Sequence, residues 1–127
     1  MIRIGIIGAG RIGKVHGEGI TNGVKNGVVA AIADPYMNEE IKKWAEGFGI
    51  KACYTDYHSI LEDPEIDAVL VCSSTDTHAD ISIDAIRAGK HVFCEKPISQ
   101  DLSKIKEVME ELKKSNVKFQ VGFNRRF

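Results

Sequence analysis

Short apolar runs alternate along this chain with longer segments in which apolar residues recur every three or four positions. The runs are rich in β-branched residues and do not alternate with polar ones, which is typical of parallel strands buried on both faces. The pattern predicts one α/β domain, with a doubly wound, six-stranded parallel sheet and helices on both faces. The predicted strands span residues 2–7, 28–33, 51–54, 68–72, 91–94 and 118–122.

Two of the predicted helices show their inner faces through an i, i+3, i+4, i+7 spacing of apolar residues. In the second predicted helix these residues are Ile41, Trp44, Ala45 and Phe48. In the last predicted helix they are Leu102, Ile105, Val108, Met109 and Leu112. We expect both sets of side chains to pack in the core.

Two further helices are delimited by residues that begin or end helices. The helix predicted over 78–88 has Thr77 and Asp80 in the spacing of a capping box, and Gly89 stands where a left-handed C-terminal cap is expected. A short stub at 57–62 should end before Pro64, because proline lacks a backbone donor and restricts the preceding residue.

The most informative motif is a glycine-rich loop that directly follows the first predicted strand and opens the first predicted helix. Its sequence is Gly8-Ala9-Gly10-Arg11-Ile12-Gly13. In a dinucleotide-binding loop of the Rossmann type, the first glycine permits a tight turn and the second lets a pyrophosphate approach the backbone. The third glycine lets helix and strand pack closely. Gly8, Gly10, Arg11, Ile12 and Gly13 are therefore candidates for binding a cofactor pyrophosphate at a helix N-terminus.

The first predicted helix itself has a mixed character. Ile12, Val15, His16 and Ile20 share the side that we expect to face inward. Gly17 and Gly19 replace better helix formers, at a cost of roughly 1 kcal/mol each relative to alanine.

An acidic residue at the end of the second predicted strand supports the assignment of the loop. Asp34 lies 21 residues after Gly13, where a carboxylate can bond the ribose hydroxyls of an adenosine. That carboxylate repels the 2′-phosphate of NADP, and residues 35–40 contain no Arg or Lys to neutralise such a phosphate. The predicted cofactor is therefore NAD. The alternative is that Asp34-Pro35 only begins a turn.

Three segments beyond the glycine loop carry a family resemblance. Glu95-Lys96-Pro97 follows the fifth predicted strand, and Ser73-Ser74-Thr75-Asp76-Thr77-His78 follows the fourth. Val121-Gly122-Phe123-Asn124-Arg125-Arg126-Phe127 closes the chain. Together they resemble the Gfo/Idh/MocA oxidoreductase family over the whole chain, and its inositol 2-dehydrogenase branch in particular. Asp76 departs from the asparagine usual in the family, and the family's proline in this loop is missing.

The resemblance implies oxidation of a secondary alcohol of a polyol or sugar substrate by NAD, with Lys96 as the catalytic residue in this chain. It adds Ser73, Ser74, Thr75, His78, Glu95 and Pro97 to the candidates for cofactor binding. For His78 a purely structural role at the start of a helix is an equal alternative. His16, His58 and His91 are interpreted as structural.

The resemblance implies that the general base comes from a second domain, which we expect to lie outside this chain. We therefore expect residues 1–122 to form the dinucleotide-binding domain and residues 123–127 to begin the connection to a missing domain. The fragment alone should bind NAD without turnover, and the full-length protein should be a homo-oligomer. The alternatives are a stand-alone NAD-binding sensor or scaffold, and a dehydrogenase of another family, such as homoserine dehydrogenase or dihydrodipicolinate reductase. Glu95-Lys96-Pro97 counts against the last.

Composition limits the binding partners and the cellular compartment that we expect for this chain. The 17 Lys and Arg residues nearly balance the 18 Asp and Glu residues, and a net charge of −1 offers no general attraction to nucleic acid or to a membrane. The cysteines at 53, 72 and 94 form no CxxC pair, so we expect buried thiols in the reducing cytoplasm and no metal site.

Overall fold

The described residues form one six-stranded, all-parallel sheet with the strand order β3-β2-β1-β4-β5-β6. The computed structural model describes residues 2–23, 25–95 and 98–122, with the backbone alone at Arg11 and Ile12. The strands are β1 (Ile2–Ile7), β2 (Gly27–Ala33), β3 (Ala52–Tyr54), β4 (Ala68–Val71), β5 (His91–Glu95) and β6 (Phe119–Gly122). The helices are α1 (Arg11–Gly23), α2 (Glu39–Gly47), α3 (His58–Leu61), α4 (His78–Arg87) and α5 (Leu102–Lys113). The predicted fold class is confirmed, and the predicted strand ends differ from these by one residue or less.

The strand order reverses at β1, which pairs with β2 on one side and with β4 on the other. Ile7 lies opposite Ala33 of β2 and opposite Val71 of β4. The carboxyl ends of three central strands therefore lie side by side. In open parallel sheets, a crevice suited to ligands forms at such a reversal.

Two apolar clusters fill the space between the sheet and its helices. On one face, Ile6 and Ile32 pack with Ile41 and Ala45 of α2, and the rings of Trp44 and Phe48 lie against them. On the other face, α3, α4 and α5 cover the sheet, with Ile60 and Val108 fully buried. The predicted inner face of α2 is confirmed.

Three residues predicted to face inward are instead exposed, so that part of the prediction is wrong. Val15 of α1 is 57% exposed, and Leu102 and Met109 of α5 are 75% and 45% exposed. Helix α5 buries Val108 and packs Leu112 against the core. The apolar stripe on α5 is therefore wider than the surface that packs against its neighbours.

The start of α4 also differs from the predicted capping box. Residues Thr75–Thr77 form a 3-10 turn, and Thr77 has a right-handed helical backbone in place of the extended one that a cap requires. Its hydroxyl donates to the Ser74 carbonyl at 2.7 Å, so it does not cap α4. The cap predicted at Gly89 is confirmed by its φ of 79°.

The cysteines behave as predicted for packing residues. Burial raises the pKa of Cys72 to about 12 and that of Cys94 to about 11, so both thiols stay protonated at neutral pH. All three cysteines are free. Across the described ranges, no helix combines the length and the apolar character that a bilayer crossing needs.

Candidate cofactor site

A cleft of about 640 Å³ runs along the carboxyl ends of β1, β2, β3 and β4. It lies at the reversal of strand order, where the sequence places its candidate residues. The cleft is lined by Ile7, Gly8, Gly10, Asp34, Pro35, Tyr36, Thr55, Asp56, Tyr57, Cys72, Ser73, Ser74, Thr77 and Ile81. Five of the predicted cofactor-binding residues are among them: Gly8, Gly10, Asp34, Ser73 and Ser74.

The glycine loop is held by two close backbone approaches. Gly8 has a φ of +105°, and a Cβ there would lie 2.6 Å from the carbonyl carbon of Cys72. A Cβ on Gly13 would lie 2.0 Å from the Gly8 carbonyl oxygen. Any larger residue at either position would push the loop away from β4 or from α1, so the turning and packing roles predicted for these two glycines are confirmed.

The backbone at Gly10 is open to a ligand and lies next to the amide donors at the start of α1. A Cβ at Gly10 would meet no atom within 4 Å, so the backbone is open to a ligand there. Lys14 N donates to the carbonyl of Gly10, the residue before α1, at 3.0 Å, as expected for the first i to i−4 bond of a helix. The amides before Lys14 therefore have no partner within the helix, and they lie at its positive end. This arrangement fits a pyrophosphate.

Asp34 joins the glycine loop to the end of β2. Its Oδ2 accepts a hydrogen bond from Ala9 N at 2.7 Å, and its Oδ1 accepts one from Tyr36 N at 2.8 Å. Each carboxylate oxygen can accept a second bond, so Asp34 can still receive a pair of ribose hydroxyls. The carboxylate is thus held in place before a ligand arrives.

A second carboxylate adds to the negative potential at this end of the cleft. Hydrogen bonds from the backbone N–H and then the ring of His58 lower the pKa of Asp56. Asp56 lines the cleft with Asp34, and no Lys or Arg occurs among the described lining residues. A ligand with an additional phosphate would meet two carboxylates and no Lys or Arg among the described lining residues.

The loop after β4 is folded by its own polar groups. Ser73 Oγ donates to Thr77 Oγ1 at 2.7 Å, and His78 Nε2 donates to the Ser73 carbonyl at 2.8 Å. His78 is only 2% exposed. The structure therefore places His78 beneath the loop as a support for Ser73, and outside the lining of the cleft.

The remaining predicted residues lie elsewhere or outside the described ranges. Thr75 begins the 3-10 turn and does not line the cleft. Glu95 ends β5, where its Oε1 accepts a hydrogen bond from His16 Nε2 at 2.5 Å. Lys96 and Pro97 lie outside the described residues, as do residues 123–127 and the side chains of Arg11 and Ile12.

Several residues of the site were missed by the sequence reasoning. Thr55, Asp56 and Tyr57 follow β3 and line the cleft, and the rule that sites lie at the carboxyl ends of strands would have found them. Tyr36 also lines the cleft and is 83% exposed. The bond between His16 and Glu95 has no local signal in the sequence, because its partners are 79 positions apart.

The groove between α4 and α5 is a weaker candidate for a ligand site than the cleft. A groove of about 560 Å³ between α4 and α5 is lined largely by charged residues. Several of these already pair, as Arg87 does with Glu111 at 3.0 Å. The described part of the chain holds no cluster of three or more His, Cys, Asp or Glu side chains suited to a metal ion.

The family assignment follows from comparison with known proteins. The model of an oxidoreductase family, the NAD-binding Rossmann fold of Gfo/Idh/MocA proteins, matches residues 2–123. The chain belongs to the Gfo/Idh/MocA oxidoreductase family. Its resemblance at the sequence level is thereby confirmed, and with it NAD as the family's cofactor.

The relatives of this Gfo/Idh/MocA domain include inositol dehydrogenases. A myo-inositol 2-dehydrogenase from Thermotoga maritima is 44% identical over 99% of this chain and 37% of its own length. An NAD-dependent scyllo-inositol 2-dehydrogenase from Bacillus subtilis is 36% identical over 99% of this chain and 36% of its own length. The chain therefore spans little more than a third of the length of these relatives.

A solved structure of the family has the same fold. A scyllo-inositol dehydrogenase from Lactobacillus casei, solved with bound NAD(H) and scyllo-inositol, superposes with a TM-score of 0.90 at 32% identity. The match covers 96% of this chain and 36% of that protein. The described residues therefore share the fold of the corresponding third of that protein.

Proposed function

We propose that this domain binds NAD for a dehydrogenase that oxidises a secondary alcohol of a polyol or sugar, with an inositol as the favoured substrate. The observation that carries the proposal is the convergence of Gly8, Gly10, Asp34, Ser73 and Ser74 on one cleft at the reversal of strand order. Turn chemistry alone would not collect these residues at one site. The names of the relatives support the substrate class.

The cleft suggests how the cofactor lies. The adenosine ribose would bind the Asp34 carboxylate, and the pyrophosphate would meet the free amides at the start of α1. The chain of the cofactor would then continue past β1 toward β4 and β5, which puts the nicotinamide near Ser73 and the end of β5. NAD is favoured over NADP because Asp34 and Asp56 would repel a 2′-phosphate.

The chemistry assigned to this domain is the stabilisation of charge at the substrate oxygen. NAD, when bound, accepts the hydride from the alcohol carbon. Lys96, directly after β5, would donate a hydrogen bond to the developing alkoxide, and a base outside this chain would remove the hydroxyl proton. His78, Thr75, Glu95 and Pro97 would support this end of the site.

We also propose the domain division, the cellular location and the oligomeric state of the full-length enzyme. Residues 1–122 form the cofactor domain and residues 123–127 lead into a substrate domain. Three free cysteines support a location in the cytoplasm. The full-length protein would be a homo-oligomer.

The role of Lys96 can be tested by comparing turnover with cofactor binding. In the full-length enzyme, we expect Lys96→Ala to lower kcat for inositol oxidation by about a hundredfold or more, because it removes the group that steadies the alkoxide. The dissociation constant of NAD, measured on the 127-residue chain, should change little. Lys106→Ala, at an exposed position on α5, is the control. Equal losses in kcat and NAD affinity would limit Lys96 to a binding role.

A further inference from the structure

His16, Phe93 and Glu95 form a small cluster that joins α1 to the carboxyl end of β5, just before Lys96. His16 Nε2–H of α1 donates a hydrogen bond to Glu95 Oε1 at 2.5 Å. Among the hydrogen bonds of the described residues, it is the one formed by side chains that joins α1 to β5. Both groups are partly shielded, with side-chain exposures of 32% for His16 and 15% for Glu95.

The cluster is also fixed by packing. The ring of His16 meets the ring of Phe93 edge to face, with centroids 5.7 Å apart and an interplanar angle of 69°. Gly122 of β6 makes room for this arrangement, because a Cβ there would lie 2.5 Å from Cζ of Phe93 and 3.5 Å from Oε1 of Glu95. His16 of α1 therefore contacts both Phe93 and Glu95 of β5, and Gly122 of β6 leaves room for the Phe93 ring.

The hydrogen bond between His16 and Glu95 lies between the two ends of the proposed cofactor position. His16 lies roughly one and a half turns into α1, whose first amides face the proposed pyrophosphate site. Glu95 is the last residue of β5 and the chain neighbour of Lys96. A bond between them connects the two places at which the proposed cofactor position needs the protein to be rigid.

We propose that His16 is a positioning residue that holds Glu95, and with it the end of β5, in register with α1 for the nicotinamide half of the cofactor. This inference rests on the proposed NAD site. With the bond in place, the pyrophosphate and nicotinamide ends of the site are preorganised together. Without it, α1 still binds the pyrophosphate, but the Glu95 side chain is no longer bonded to α1 and can adopt other positions.

The test compares two ligands on the 127-residue chain. NAD carries the nicotinamide, whereas ADP-ribose carries the adenosine, the pyrophosphate and the second ribose without it. His16→Phe keeps a ring against Phe93 but has no N–H to donate. We expect His16→Phe to weaken NAD binding about tenfold, because Glu95 is then no longer preorganised for the nicotinamide half of the cofactor. ADP-ribose binding should stay within roughly twofold.

A conservative variant and an independent one complete the experiment. His16→Gln keeps a side-chain amide donor and should restore most of the NAD affinity. Glu95→Gln removes the charged acceptor and should repeat the selective loss, and it serves alone if His16→Phe does not fold.

Two results would overturn the positioning role. Equal loss of NAD and ADP-ribose affinity would show that the bond only stabilises the fold, and no loss of either would show that it has no role in binding. Failure of the unaltered chain to bind NAD or ADP-ribose at millimolar concentration would instead contradict the proposed function itself.

Discussion

Asp34 links cofactor choice to loop structure through a single side chain. Its two carboxylate oxygens accept the amides of Ala9 and Tyr36, at 2.7 and 2.8 Å, and still have room for two ribose hydroxyls. A change here should therefore affect the shape of the glycine loop and the ligand together.

We expect Asp34→Ala to weaken NAD binding about tenfold or more and to reduce the preference for NAD over NADP. The variant loses hydrogen bonds to a charged acceptor and also the repulsion of a 2′-phosphate. Titration of the chain with both cofactors measures the two effects. Glu40→Ala, an exposed acidic residue in the same segment, is the matched control. If the two affinities fell by the same factor, the carboxylate would have no part in selectivity.

His58 and Asp56 form an exposed pair beside the cleft that should respond to pH. His58 Nδ1 lies 2.8 Å from Asp56 Oδ1, and this hydrogen bond raises the pKa of His58. The backbone N–H of His58, followed by its ring, lowers the pKa of Asp56 through hydrogen bonds. A raised histidine pKa adds stability that is fully present below the pKa of the unfolded chain and is lost as the pH rises through the folded value. The lowered Asp56 pKa adds stability that is lost as the pH falls through its folded value.

We therefore expect Asp56→Asn to lower the pKa of His58 in an NMR titration of the chain. The difference in melting temperature between the unaltered chain and this variant should be larger below about pH 6 than above about pH 8. An unchanged His58 pKa would mean that the two side chains do not pair in solution.

At the scale of the elements, α1 contains two glycines that weaken the helix, and packing explains only one of them. Gly17 and Gly19 look alike in the sequence. In the structure Gly17 is buried, and a Cβ there would lie 2.7 Å from Cη2 of Trp44, whereas a Cβ at Gly19 would meet nothing within 4 Å. Gly17 thus lets the Trp44 ring pack close to the helix, and Gly19 has no packing role.

Gly19→Ala should therefore stabilise the chain by about 1 kcal/mol, because alanine restricts the unfolded chain and suits a helix interior. Thermal or urea unfolding measures the change. Gly17→Ala is the matched comparison and should gain less, since the ring of Trp44 has to shift. Equal gains from the two substitutions would contradict this account of the packing.

Element positions were easier to predict from the sequence than the contacts between elements. The apolar runs and the i, i+3, i+4 spacing predicted all six strands and the inner face of α2. The same spacing also assigned Leu102 and Met109 to the core, although they are exposed. Periodicity shows which residues share a face of a helix, but how much of that face is covered depends on the neighbouring helices.

At the scale of the whole molecule, the cleft lies where the sequence predicts it, because parallel strands bring their carboxyl ends to one edge of the sheet. That rule placed Gly8, Asp34 and Ser73 together, and Thr55–Tyr57 would have followed from applying it to β3 as well. His16 could not have been found in this way. Its bond to Glu95 depends on the distance between α1 and β5 in the folded chain, which no local pattern reports.

We expect this domain to bind NAD and to select against NADP through the negative charge of its cleft. Titration calorimetry of the 127-residue chain with NAD and with NADP tests it most directly. We expect saturable binding of NAD, with NADP weaker by about tenfold or more because of Asp34 and Asp56. The absence of NAD binding at millimolar cofactor, or tighter binding of NADP than of NAD, would contradict it.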